Sequence, residues 1–169
     1  MYLTDKLRKN IFLSLCVIIA VALNYFESVL FVSGVIPGIK IGISNIIVLT
    51  VIYMYSYKEA IVISVLKSVL ISLLFGNGMS FLYSFMGGVT SAIVMAVFRN
   101  VKGLSSIGVS MIGSFIHITA QIMTAFVLLN SKTVFYYYPY MLLISTVTGF
   151  INGFLVKMVL KKLKPERRF

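Results

Sequence analysis

A chain of 169 residues with 60% hydrophobic side chains and a mean hydropathy of +1.04 has the length of one domain and is too apolar for a water-soluble fold. It is read as an integral membrane protein, all-α and polytopic. The net charge of +11 does not point to nucleic acid, because Lys and Arg gather at the two ends and in two short loops, as membrane orientation requires. The four acidic residues, Asp5, Glu27, Glu59 and Glu166, are far apart in sequence, and the single Cys16 excludes an internal disulfide.

Residues 1–10 form a basic segment (Lys6, Arg8, Lys9) expected to lie along the membrane surface. A first span over residues 11–31 is long enough to cross a hydrocarbon core of about 30 Å. No cleavage pattern follows it, so it is expected to stay in the protein as a helix. Its far end carries Asn24 and Glu27, three apart and on one face. The stretch Val35-Ile-Pro-Gly-Ile-Lys-Ile-Gly-Ile-Ser-Asn45 then interrupts the apolar pattern. Pro37 has no amide hydrogen and Gly38 admits backbone angles closed to other residues, so a helix is expected to break there. If it restarts directly, Gly42 and Asn45 share a face with Gly38, and the stretch becomes one wall of a binding site. The alternative is a loop followed by a small-residue helix contact.

Further spans are expected at residues 41–57, 60–75, 79–98 and 107–129, with a sixth opening at Tyr136-Tyr-Tyr-Pro-Tyr140 and ending near Leu160. Lys58-Glu59, Gly76-Asn77-Gly78 and residues 99–103 are the turns between them. The six-helix transmembrane domain thus covers residues 11–160, and 161–169 form a basic tail. Small residues at helix-packing spacing, Gly88/Ala92/Ala96, Gly149/Gly153 and Cys16/Ala20, suit close approach of backbones in lipid. Six spans put both termini on one side of the membrane. That side holds twelve of the 15 Lys and Arg residues; Lys40 and Lys132 lie on the other side and Lys67 within the membrane. The positive-inside rule makes the termini cytoplasmic.

In this topology Asn24, Glu27, Lys40, Asn45 and Asn77 fall near the outer face, with Lys67, His117 and Gln121 deeper. Together they outline a cavity opening outward. A charged Lys near the bilayer centre costs about 2.5–3.5 kcal/mol on insertion scales, so it turns into the bundle and finds a partner. Lys40, Lys67 and His117 suit an anionic ligand, with Glu27 organising the lysines by charge pairing. Each group also has a structural reading: Lys67 paired with Glu27, His117 with Gln121, and the tyrosines as an interfacial belt. Enzyme chemistry finds no footing. The only Asp is Asp5, so magnesium-diphosphate chemistry lacks its carboxylates; no Walker sequence is present, and neither cofactor nor metal is expected.

Gly38-x-x-x-Gly42-x-x-Asn45, with Tyr25-Phe-Glu-Ser28, Lys58-Glu-Ala60, Lys67, Leu74-Phe-Gly-Asn77, Gly87-Gly88, His117 and Gly149, resembles a family known both as Gx transporter and as heptaprenyl diphosphate synthase component I. That family is in turn similar to the substrate-binding S components of energy-coupling-factor (ECF) vitamin transporters. The resemblance implies a six-helix bundle of the bacterial cytoplasmic membrane that docks a transmembrane coupling protein and two ATPase subunits through a small-residue face on its first helix. Here that face would be Cys16 and Ala20, continued by Asn24.

The leading expectation is therefore a non-enzymatic binding subunit for uptake of a small anionic vitamin-like or precursor molecule. Glu27, Lys40, Asn45, Lys67, Asn77, His117 and Gln121 would form its site, and Pro37, Gly38 and Gly42 would shape the wall. The alternatives are a non-catalytic accessory component of heptaprenyl diphosphate or isoprenoid-quinone synthesis, and a stand-alone facilitator.

Overall fold

A computed structural model describes residues 2–30, 40–75 and 78–163, apart from the side chains of residues 2–4 and 30. Pro37, Gly38, Asn77 and most of the basic tail lie outside the described residues. Within them the fold is all-α: α1 (Tyr2–Leu30), α2 (Asn45–Met54), α3 (Tyr57–Phe75), α4 (Gly78–Phe98), α5 (Ser106–Leu129), a 3-10 turn over Lys132–Tyr137 and α6 (Tyr138–Leu163). Among the described residues four stretches are long and apolar enough to cross a membrane: α1, α4, α5, and α6 together with the turn before it. The outward helix faces carry Leu73 on α3, Val127 on α5 and Leu143 on α6, each more than 70% exposed, as a surface facing lipid would.

Local sequence explains the helix ends. Ser105 caps α5, its hydroxyl accepting from the Gly108 amide, and Asn130 ends that helix in the left-handed region at φ 45°. Ser131 in the same way accepts from Thr133 to start the 3-10 turn. Pro139 falls in the first turn of α6, where a missing amide hydrogen costs nothing.

Two expectations about α1 and α2 need correction. Residues 2–10 are not a separate segment but the first turns of the 29-residue α1. The second span is not a full crossing: α2 has 10 residues, about 15 Å against a core of about 30 Å. Gly42 has φ 93°, a left-handed conformation that glycine adopts without strain, so the helix starts only at Asn45 and Gly42 is not on a helical face with it. α2 is apolar all round and enclosed on all sides, with Val48, Leu49, Val51 and Ile52 fully buried.

α1 and α3 run parallel with a constant offset of 50 residues. Lys9 pairs with Glu59 at 2.5 Å near one end, and the rings of Tyr25 and Phe75 stand 4.2 Å apart near the other. The small-residue pairs act in packing. A Cβ at Gly153 would lie 2.5 Å from the Cα of Ile107, and one at Gly149 3.0 Å from that of Met111, so α5 and α6 touch through glycine. Cys16, Ala20 and Asn24 are buried as well, which turns the face expected to dock a coupling protein into the bundle.

Candidate functional site

Ser44 and Asn45, at the start of α2, sit at the centre of a buried polar network. Asn24 and Glu27 project from α1, Lys67 from α3, His117 and Gln121 from α5, and Asn152 from α6; Lys40 lies in the segment leading to α2. All are at most 5% exposed. The sequence-predicted residues Glu27, Lys40, Asn45, Lys67, His117 and Gln121 therefore do come together, with Gly42 among them.

The bonds differ from simple charge pairing. The Glu27 carboxylate accepts the amide hydrogens of Gly42 at 2.5 Å and Ile43 at 3.2 Å. Among the described residues no lysine lies within ion-pair distance of it, although both Lys40 and Lys67 are near enough to act on its charge. Lys40 instead donates to the Asn24 side chain. Lys67 donates to Ser44 Oγ at 2.8 Å and Asn45 Oδ1 at 3.0 Å. Gly88 makes room for Ser64, whose Oγ a Cβ there would meet at 2.6 Å, and lies at ordinary contact distance, 3.6 Å, from Lys67 Cε. The expectation that Glu27 pairs the lysines is thus corrected. The backbone amides approaching α2 take its oxygens first.

Two side-chain amides converge on the His117 ring. The Gln121 Oε1 accepts the Lys40 amide hydrogen at 2.9 Å, which turns its Nε2 toward His117 Nε2 at 2.9 Å. The Asn45 Oδ1 accepts from Lys67, which likewise turns its Nδ2 toward His117 Nδ1 at 3.2 Å. Each amide brings a donor to one ring nitrogen, and a neutral imidazole accepts at one of the two. The ring packs against both Gly42 and Gly87: a Cβ would meet it at 3.2 Å from the first and 2.9 Å from the second.

Sequence reasoning passed over Asn152, whose Nδ2 donates to the Gly42 carbonyl at 3.1 Å. It also passed over Arg99, whose guanidinium reaches the carbonyl of Ile52 and stacks 5.5 Å from the Tyr53 ring centroid. An amide within an apolar span, directly before Gly153, was the available signal for Asn152. α2 thereby has an anion at its N-terminal approach and a cation near its C-terminus, matching the polarity of the helix at both ends.

The network binds its own members, and no group of three His, Cys, Asp or Glu side chains able to hold a metal occurs among the described residues. The fold and site define a multi-pass helical membrane protein built around a buried half-length helix. The chain belongs to the heptaprenyl diphosphate synthase component I family, whose model matches residues 16–159. No curated protein and no solved structure matches it. The family match overturns the expectation of a substrate-binding uptake subunit, and no comparison supports a Gx-transporter or ECF S-component relationship. The family description is that of one component of a synthase, and the chain carries no aspartate-rich diphosphate motif.

Proposed function

We propose that the protein is the membrane-embedded accessory component of heptaprenyl diphosphate synthesis, holding a soluble prenyl synthase at the bacterial cytoplasmic membrane. The family match over residues 16–159 carries this reading. The product is an amphiphile with a long hydrocarbon chain and a doubly phosphorylated head, and its synthesis gains from a partner already in the bilayer. In the proposed topology six segments cross or enter the membrane, with both termini cytoplasmic. The excess of Lys and Arg on that side supports it and favours contact with anionic groups there. Glu27, Lys40, Asn45, Lys67, His117 and Gln121 serve as the frame that holds α2 in place.

Co-purification from membranes, together with chain-elongation activity in cells lacking this protein, tests the reading. The soluble synthase is expected to remain bound through size exclusion, and its membrane-associated activity to fall when the protein is deleted. Absence of both effects would remove the proposal.

A further inference from the structure

Between the Lys9–Glu59 and Tyr25–Phe75 contacts, α1 and α3 leave a groove of about 550 Å³, within the range of small-molecule sites. Its lining changes character along the helices. Asn10, Lys58 and Glu59 stand at one end, and Val17, Val62 and Leu66 line the wall further in. From Lys58 to Leu66 the helix rises about 12 Å. Val62 is 54% and Leu66 43% exposed, so the apolar part is open sideways to lipid.

Charge at the polar end is unequal. Glu59 is already engaged by the Lys9 ammonium at 2.5 Å and by the Ser56 hydroxyl. Lys58, next to it and exposed, is left to face the groove mouth as a cation. A cationic mouth leading to an apolar cleft open to the bilayer suits an amphiphile with an anionic head and a single hydrocarbon chain. A cleft between two neighbouring helices admits one chain along its length, and the open side lets a longer chain continue into the membrane.

We infer that the α1–α3 groove seats a polyprenyl diphosphate, its head at Lys58 and the first part of its chain along Val17, Val62 and Leu66. This rests on the accessory-component reading and names the molecule that component handles. The seat lies on the side of the membrane where a soluble synthase releases its product, and it is separate from the buried network around Asn45.

The test uses full-length protein in phosphatidylcholine nanodiscs and geranyl diphosphate carrying a photoreactive diazirine at the chain end, short enough to keep the label within the groove. Labelling is expected on peptides containing Val17 or residues 62–66. Unlabelled heptaprenyl diphosphate should compete at least tenfold better than phosphatidylglycerol or inorganic diphosphate. Lys58→Glu should weaken labelling about tenfold, and Lys132→Glu, in the loop before α6, should leave it unchanged. Leu66→Trp, which fills the cleft from its exposed rim, should block labelling while the unfolding temperature is kept. Labelling elsewhere, or equal competition by phosphatidylglycerol or by inorganic diphosphate, would overturn the inference. The accessory role is scored separately: a retained complex without groove labelling sinks the groove alone, and groove labelling with neither a complex nor a fall in membrane-associated activity on deletion sinks the accessory role alone.

Discussion

Glu27 and Arg99 stand at opposite ends of the ten-residue α2, the carboxylate on the amides of Gly42 and Ile43 and the guanidinium on the carbonyl of Ile52. A helix this short leaves a large share of its backbone groups without intrahelical partners, and here they end inside a membrane bundle. Both side chains answer that need, one with each sign of charge.

Replacing Glu27 with Gln removes the charge from two amide bonds and is expected to cost about 1.5–3 kcal/mol, the range for hydrogen bonds to charged groups. Arg99→Met should cost less, about 1 kcal/mol, because that end is only partly buried. The order of the two is the prediction. Cys16 is the single cysteine and is buried, so a thiol-reactive dye reports unfolding directly. An Arg99 variant that melts below the Glu27 variant would contradict this account of α2.

Lys67→Met leaves the Ser44 hydroxyl and the Asn45 amide oxygen without their donor. Leaving a buried acceptor unsatisfied costs about 1–3 kcal/mol, so the variant should unfold earlier than the parent in the dye measurement. Adding Asn45→Leu should then cost less than it does in the parent, because the two residues share one bond. Strictly additive effects would mean that Lys67 and Asn45 do not act as a pair.

Gly153→Ala would place a methyl group 2.5 Å from the Ile107 backbone, and helix backbone cannot yield as a side chain can. Separation of α5 and α6 should destabilise the protein by about 1–3 kcal/mol. Gly78→Ala meets nothing within 4 Å and is expected to be neutral or slightly stabilising. Equal melting of the two variants would refute the glycine-mediated contact.

The Lys9 and Ser56 hydrogen bonds hold the Glu59 carboxyl down at about 2, below its ordinary 4.5. A carboxyl lowered on folding adds stability that is complete above about 4.5 and is lost as the pH falls toward 2. The parent should therefore lose more thermal stability over that interval than Glu59→Gln does. Both partners are partly exposed, so salt should shrink the difference. Parallel acid profiles for the two proteins would show that the pair contributes nothing.

Much of this architecture was legible in the sequence. The apolar runs gave α3, α4 and α5 to within a few residues, because turn residues bound each run at both ends. The cost of placing a charged Lys67 in lipid pointed it to the interior, where it is buried with His117 and Gln121. α2 was misread because hydropathy alone cannot separate a helix that crosses lipid from one enclosed by protein, and both are apolar all round. What set its start was the left-handed backbone at Gly42, a property of the fold. Glu27 was given lysine partners because charge is visible in a sequence and backbone amides are not. The family resemblance implied a docking face at Cys16 and Ala20, and small residues pack in the same way within a bundle and between chains.

The half-length of α2 also bears on how the protein is made. Its ten residues fall well short of the roughly 20 apolar residues that a nascent chain needs to be recognised as a crossing segment. α2 therefore depends on its neighbours to be drawn into the bilayer, and its final depth is reached only when α1, α3 and α6 have gathered around it. Substitutions that remove the turn at Gly42 would then first show as a lowered yield of correctly inserted chain.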